Sequence, residues 1–193
     1  MSLRKTREFL LQEKWMTVRD KIKVLSVDRQ ELGWFTAKII STSPQYRLYS
    51  AENPDEILLT IKEKIISIRS TYSFFKGERD TENLIGRLKQ KMVSIKPKYW
   101  FEDPDKKKLF TMKGSFWKLK YQVFLEDKPV AEISKKIWKV KDTYGVKMNP
   151  DLDDDSAMLV LGIVVMLHHE KEEEKKRGKG SKGIAGKVIK FGR

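Results

Sequence analysis

The segment IKEKIISIRSTY, residues Ile61–Tyr72, decides the fold, because closely similar segments recur along the chain. The other copies are LQEKWMTVRDKI (Leu11–Ile22), FTAKIISTSPQY (Phe35–Tyr46), LKQKMVSIKPKY (Leu88–Tyr99), the shorter MKGSFWKLKY (Met112–Tyr121) and ISKKIWKVKDTY (Ile133–Tyr144). Their first positions lie 21 to 27 residues apart, a period that is typical of a repeated supersecondary unit. The sequence therefore predicts six copies of one structural unit.

Each unit begins with alternating apolar and polar residues. Ile61 and Ile65 are apolar while Lys62 and Lys64 are polar, and this period of two is typical of a strand with one buried face. Small or polar residues then indicate a turn, and the alternation resumes at the last position of the unit, which is Tyr in five of the six copies. Each unit is therefore predicted to be a hairpin of two strands.

Six hairpins provide twelve antiparallel strands. An open sheet of that size leaves exposed edges and tends to curl, so we predict that it closes into a barrel. A barrel of twelve strands encloses more space than its own side chains fill, because its diameter grows with strand number. A further element is therefore expected inside it.

The apolar run AMLVLGIVVML, Ala157–Leu167, is that element. Acidic residues precede it and His168 and His169 follow it, as the dipole of a helix prefers. A helix that is apolar on every side must be buried on every side. Eleven residues rise only about 16 Å, whereas a bilayer span needs about twenty residues, so we predict no transmembrane segment.

The predicted fold class is therefore mainly β: a closed twelve-stranded antiparallel barrel of six hairpin repeats around a central C-terminal hydrophobic helix. The barrel domain is predicted at residues 8–169, with the central helix at 156–169. Residues 170–193 hold nine Lys and Arg against four Glu and are predicted to be a basic, flexible tail.

The composition favours an anionic partner. The chain of 193 residues carries 41 Lys and Arg against 27 Asp and Glu, a formal net charge of +14. Such a balance suits an anionic phospholipid surface, a nucleic acid or an acidic protein. The N-terminal sequence has no apolar run before its first charges, so no signal peptide is predicted, and we expect a cytoplasmic protein at the membrane periphery.

Catalysis finds little support in the residue types. The chain has no cysteine, which removes thiolate zinc sites and cysteine nucleophiles. Its only histidines, His168 and His169, are adjacent and point about 100° apart on a helix, so they are expected to end the helix and not to act as paired ligands. We predict no enzyme, no catalytic residue, no metal and no cofactor.

Several patterns together resemble a known family. They are strand pairs that end like Lys91–Tyr99, KMVSIKPKY, a late DTYGV strand at Asp142–Val146, and an acidic run before a short apolar helix. In these features the chain resembles the LURP-one-related (LOR) proteins, which are grouped with the Tubby C-terminal domains and the phospholipid scramblases. The resemblance covers about residues 8–169 and implies a twelve-stranded barrel around a hydrophobic helix, the Tubby C-like fold.

The resemblance leaves three functions open. Tubby domains bind phosphoinositides, scramblases are linked to calcium-dependent lipid movement, and most LOR proteins have no established activity. The leading expectation is a non-enzymatic interaction module that binds anionic membrane lipid at the membrane periphery. The alternatives are scramblase-like lipid transfer and nucleic-acid binding. The candidate residues for an anionic ligand lie in the tail: Lys175, Lys176, Arg177, Lys179 and Lys182.

The resemblance to scramblases also implies a possible calcium segment before the apolar helix. The positions that match it are Asp142, Tyr144, Gly145, Asp151 and Asp153. Val140 replaces the acidic residue that leads this segment, and the residues between offer few of the six to eight oxygens that calcium prefers. We therefore expect the aspartates to cap the helix.

Overall fold

The computed structural model describes residues 2–14, 21–38, 44–64, 71–93, 96–115, 118, 120–134 and 143–185, without the side chains at positions 13, 14, 38, 92, 93, 96, 97 and 172–185. The strands are β1 (Glu8–Lys14), β2 (Lys21–Leu25), β3 (Glu31–Lys38), β4 (Gln45–Ser50), β5 (Ile57–Lys64), β6 (Thr71–Lys76), β7 (Leu84–Val93), β8 (Lys96–Glu102), β9 (Lys108–Ser115), β10 (Lys120–Leu125), β11 (Lys128–Ser134) and β12 (Thr143–Met148). The helix α1 (Asp154–Ala185) follows them.

The strands form the predicted closed barrel. Each strand pairs antiparallel with its neighbours in the chain, and β1 pairs with β12 to close the sheet. The six sequence units correspond to the six hairpins β1–β2 through β11–β12. The predicted turns inside the units fall largely outside the described residues. The repeat thus gives both the number and the order of the strands.

The helix α1 occupies the interior of the barrel. Every residue from Ala157 to Leu167 is buried, and these side chains share one hydrophobic cluster with the inward-facing residues of the strands. The helix packs tightly against β5 and β6 at Gly162, where an added Cβ would lie 2.6 Å from Leu59 Cδ2 and 3.0 Å from Phe74 Cε1. Only glycine lets the helix pack this closely against β5 and β6.

The bounds of the helix differ from the prediction of 156–169. It begins at Asp154 and continues to Ala185, so the backbone of 170–185 is helical and not a coil. The sequence EKEEEKKR at 170–177 consists of good helix formers with Glu and Lys or Arg spaced three and four apart, which explains the continuation. His168 and His169 therefore do not end the helix. The flexibility of residues 170–193 stays a prediction.

Five β-bulges recur at one position of the repeat, three residues before the first residue of a unit. There the register of two strands shifts by one residue, which leaves an extra residue in β3, β5, β7, β9 and β11. The extra residues are apolar: Leu32, Leu58, Ile85, Leu109 and Val130. A bulge re-aims its side chain, so each of these strands directs additional apolar bulk to one end of the barrel.

Candidate functional site: the two ends of the barrel

A ring of tyrosines lies inside one end of the barrel. These are the residues from the last position of five units, near the starts of β4, β6, β8, β10 and β12, and each is at most 5% exposed. They are Tyr46, Tyr72, Tyr99, Tyr121 and Tyr144. We call this set the tyrosine ring and its end of the barrel the ring end. The ring surrounds the place where the apolar part of α1 gives way to polar residues.

Polar side chains of α1 bond to the ring. The hydroxyl of Tyr46 lies 3.0 Å from Nε2 of His169, which is also 3.8 Å from a carboxylate oxygen of Glu63. The hydroxyl of Tyr72 donates a hydrogen bond to Oε1 of the buried Glu170. The ring therefore provides hydrogen-bond partners for His169 and Glu170 where the helix leaves the apolar core, and without such partners the burial of polar groups is costly.

Two further contacts of the ring are a stacked pair of aromatic side chains and a hydrogen bond between strands. The ring of Tyr144 stacks on His168 with centroids 4.8 Å apart and planes 2° from parallel. Gln90 Nε2 donates to the Tyr99 hydroxyl at 3.1 Å. His168 and His169 thus hold the helix to the surrounding strands through their contacts with the tyrosine ring. The sequence did not predict this role.

Two tyrosines of the ring, Tyr72 and Tyr121, keep their protons at neutral pH because their pKa is raised. Burial, followed by the nearby Glu170 and Glu63 carboxylates, raises the pKa of Tyr72 well above its ordinary value. Burial, with a smaller contribution from Tyr99, also raises the pKa of Tyr121. Neither hydroxyl is therefore suited to act as a nucleophile or a base under physiological conditions.

The outer surface at the ring end is basic. Lys64 ends β5, and Lys91 and Lys98 lie directly opposite each other on β7 and β8. Lys118 and Lys120 come just before Tyr121, and Lys120 is the first residue of β10. All five lysines are exposed. We call them the outer lysines.

The predicted anion-binding residues belong to the part of α1 that continues past the ring. Residues Lys175, Lys176, Arg177, Lys179 and Lys182 all have helical backbone, and their side chains are outside the described part of the chain. The helical period places positions 175, 179 and 182 along one face. Their role in binding stays a prediction, and the outer lysines, which the sequence analysis did not select, lie at the same end.

The other end of the barrel is acidic. It carries the connections between the units and the entry to α1, at residues 26–30, 51–56, 77–83, 103–107, 126–127 and 149–153. These connections contain 13 Asp and Glu against 4 Lys and Arg, a formal charge of −9, so the rest of the chain carries +14 − (−9) = +23. By contrast, the sequences connecting the strands within units hold seven Lys and Arg against two Asp. We call this end the acidic end.

The N-terminal turn of α1 is fastened at the acidic end. Asp153 Oδ1 accepts the amide hydrogen of Ser156 at 2.8 Å, which is the predicted helix cap. Asp154 forms ion pairs with Lys5 at 2.5 Å and with Arg7 at 2.7 Å. These contacts hold the segment before β1 against the first turn of the helix, so the start of the barrel and the start of α1 are fixed relative to each other.

Four carboxyl groups at the acidic end have a lowered pKa. Burial opposes ionisation of Glu31, Glu102 and Asp153, but hydrogen bonds from lysines or from the Ser156 amide outweigh it and hold each pKa below its ordinary value. For Asp154, the hydrogen bonds from lysine and arginine are the main cause of the lower pKa. These carboxyl groups therefore favour the folded state in their ionised form.

A mostly apolar cavity of about 440 Å³ opens at the acidic end. It lies between the first turns of α1 and strands β5, β7, β9 and β10, and its lining includes Leu58, Ile85, Leu109, Leu125 and Met158. The first three are bulge residues. The cavity is thus a product of the repeated bulge.

The residues that matched a calcium segment do not form a site in the described part of the chain. Tyr144 faces His168, and Gly145 pairs with Leu10 in β1. Asp151 and Asp153 follow the far end of β12, which lies about 17 Å along the strand from Thr143 at the ring end. Asp142 and Val140 lie outside the described residues.

The described residues contain no group of three or more His, Cys, Asp or Glu side chains arranged to hold a metal ion. Within the same ranges, α1 does not have an apolar stretch long enough to span a bilayer.

Comparison with known proteins agrees with this fold. A crystal structure of a protein from Arabidopsis thaliana superposes with a TM-score of 0.56 at 16% sequence identity, covering 82% of this chain and 88% of the plant protein. At that identity the likeness concerns the fold alone. No curated protein matches the sequence. The sequence profile of the LURP-one-related family matches residues 7–168, from the start of the barrel to the tyrosine ring, and the chain therefore belongs to the LURP-one-related (LOR) family.

Proposed function

We propose that this LOR protein is a non-enzymatic interaction module that binds cytoplasmic membrane surfaces through their anionic phospholipids, with the ring end facing the lipid. The observation that carries the proposal is the separation of charge between the two ends of the barrel. The acidic-end connections carry −9, whereas the outer lysines and the basic continuation of α1 meet at the ring end.

The charge separation selects one orientation. Each Lys or Arg near an anionic membrane contributes about 1 kcal/mol, so the five outer lysines contribute about 5 kcal/mol before the entropic cost of association. The opposite orientation would bring the net negative end to the same surface and would be repelled. A uniformly basic protein would have no such preference.

The polar groups inside the ring end support a binding role over catalysis. Tyr72 bonds to Glu170, and Tyr46 to His169, so these titratable side chains already serve the helix. The cavity at the acidic end is lined mainly by aliphatic side chains. These arrangements supply contacts that hold the fold together and offer no open pairing of an acid with a base.

The position of α1 also weighs against scramblase-like lipid transfer. Its apolar residues Ala157–Leu167 are enclosed by the strands and contribute to the core. Inserting them into a bilayer would require the barrel to lose that core. Peripheral binding needs no such rearrangement.

Flotation with lipid vesicles tests the proposal. We expect the protein to float with vesicles of phosphatidylcholine containing 30% phosphatidylserine, and not with phosphatidylcholine alone. Binding should weaken as salt rises, because the attraction is electrostatic. A single-stranded RNA and a DNA duplex should be titrated under the same conditions, since nucleic-acid binding also predicts a steep salt dependence.

Matched charge reversals locate the binding surface. Lys91→Glu with Lys98→Glu changes the net charge by four units at the ring end and should abolish most of the flotation. Lys107→Glu with Lys128→Glu makes the same change with exposed residues at the acidic end and should have little effect. A third variant, Lys175→Glu, Lys179→Glu and Lys182→Glu, tests the residues selected from the sequence. Equal losses for both pairs, or binding that ignores acidic lipid, would refute the proposal.

A further inference from the structure

We propose that the acidic end is a docking site for a basic peptide segment of a partner protein, which inserts an apolar side chain into the cavity there. The site is separate from the lipid-binding surface proposed above, because it lies at the opposite end of the barrel. Three observations support it: a cavity of suitable size, rim cations that are already paired, and unpaired acidic residues on the neighbouring connections.

The cavity has the dimensions and lining of a binding site. Its volume of about 440 Å³ lies within the range of roughly 300–1,000 Å³ that is typical of ligand pockets. Its walls are mainly aliphatic, with Leu109, Leu125 and Ile85 only partly buried. Because these side chains keep apolar surface in contact with solvent, an apolar side chain from a partner would cover them favourably.

The cationic side chains at the rim of the cavity form ion pairs within the protein. Lys76 Nζ lies 2.6 Å from Asp155 Oδ2, and Arg4 lies 3.6 Å from the other oxygen of Asp155 and 3.5 Å from Glu56. The rim is therefore electrically balanced within itself. A fatty acid or another anionic amphiphile would have to compete with these carboxylates for its head-group contacts.

Four of the acidic residues on the connections beside the cavity have no such partners, whereas Glu78 pairs with Arg47 and Asp127 with Lys113. Asp80 and Glu82 lie between β6 and Ile85, and Glu126 directly follows Leu125. Asp105 lies four residues before Leu109. All four acids are exposed, and within the described ranges none forms an ion pair. They would attract lysine and arginine side chains that flank an apolar anchor.

The experiment measures the binding of three blocked hexapeptides to the full chain by isothermal titration calorimetry at low salt. The peptide KRLFKR combines basic and apolar side chains, KRSGKR keeps the charge alone, and EELFEE keeps the apolar pair with the opposite charge. We expect KRLFKR to bind at least about tenfold more tightly than KRSGKR, and EELFEE not to bind.

Paired variants of the protein identify the site. Glu126→Lys should weaken KRLFKR about fivefold to tenfold, whereas Glu132→Lys, an equal change at an exposed position on β11, should not. Leu125→Trp should fill the cavity and remove the advantage of KRLFKR over KRSGKR, with circular dichroism verifying the fold. Because Glu126→Lys lies away from the ring end, vesicle flotation should persist, so this proposal and the lipid proposal fail separately.

Several results would overturn the inference. They are equal binding of KRLFKR and KRSGKR to the unmodified protein, equal damage from Glu126→Lys and Glu132→Lys, or preferential uptake of sodium dodecanoate in place of the peptide. The last result would assign the cavity to an anionic amphiphile.

Discussion

The two ends of this barrel are built from the same repeat and yet have opposite properties. At the ring end the polar groups point inward, where Tyr46 and Tyr72 bond to the helix, and the outer lysines point outward. At the acidic end the cations Lys5 and Arg7 bond to Asp154, while carboxylates dominate the outer surface. Since antiparallel strands bring alternate connections to opposite ends, one repeat can supply two distinct surfaces.

The helix joins the two ends, and its removal should have the largest effect. We expect a chain truncated before Ser156 to be insoluble or to lack fixed tertiary structure, because the barrel would lose the side chains that fill it. Near-ultraviolet circular dichroism and proton NMR of any soluble fraction measure this. A truncated chain that is monomeric and well folded would show that the ends do not depend on the helix.

The middle of the helix is less tolerant than either end. Gly162→Val places new atoms at a position where even a Cβ would lie 2.6 Å from Leu59 and 3.0 Å from Phe74. We expect the free energy of unfolding, measured in urea, to fall by about 1–3 kcal/mol. Gly162→Ala adds one carbon and should cost less. A neutral Gly162→Val would mean that β5 and β6 can move away from the helix.

The ring end should lose stability when its buried hydrogen bonds are removed. Tyr72→Phe leaves the buried Glu170 without the hydroxyl that now donates to it, which should cost about 1–3 kcal/mol of unfolding free energy. Tyr46→Phe is the matched control and should cost less, because the side chain of His169 is 23% exposed and can reach water. The reverse order would mean that the Tyr46 hydroxyl contributes more to stability than the buried hydrogen bond from Tyr72 to Glu170.

The two ends should respond to opposite extremes of pH. A carboxyl group with a lowered folded pKa binds fewer protons in the folded than in the unfolded state, so the stability it provides is present at neutral pH and lost as pH falls through that lowered value. Asp153→Asn keeps a capping side chain but removes its titration, so it should make the acid limb of the stability curve shallower. An unchanged acid limb would contradict this role of Asp153.

The tyrosine ring should make the stability of the protein depend on pH in the alkaline range. Because the pKa of Tyr72 is raised in the folded state, the folded protein holds that proton above pH 10 after the unfolded chain has lost it, and stability should fall as pH rises beyond 10. Tyr72→Phe should weaken this alkaline loss while leaving the acid limb unchanged. Denaturation followed by fluorescence at pH 9 to 11 measures the difference.

Most of the fold could be predicted from the sequence, because a period-two pattern repeated six times specifies strands, order and closure together. The bulges were missed, although a signal was present: an apolar residue three positions before Phe35, Ile61, Leu88, Met112 and Ile133 interrupts the alternation. The predicted end of α1 at residue 169 was too early because the prediction followed the apolar run. The helix continues through polar residues that have high helix propensity and carry opposite charges three and four positions apart along the helix.

The candidate sites were harder to predict. The sequence placed the tyrosines on strands. Their contacts with His169 and Glu170, however, depend on which end of the helix lies at which end of the barrel. The acidic connections were visible as turns, but only the antiparallel order assembles them at one end. The cavity depends on bulges in strands that are distant in sequence. Each of these features is a tertiary arrangement that local patterns do not specify.

Measuring which end of the barrel faces a bound membrane is the sharpest test of the proposed lipid binding through the ring end. Because the chain has no cysteine, Lys64→Cys at the ring end and Thr81→Cys at the acidic end can each carry a single environment-sensitive dye. On vesicles containing phosphatidylserine and a lipid-attached quencher, we expect strong quenching of the dye at position 64 and little at position 81. Stronger quenching at position 81, or equal quenching at both positions, would refute the proposed orientation.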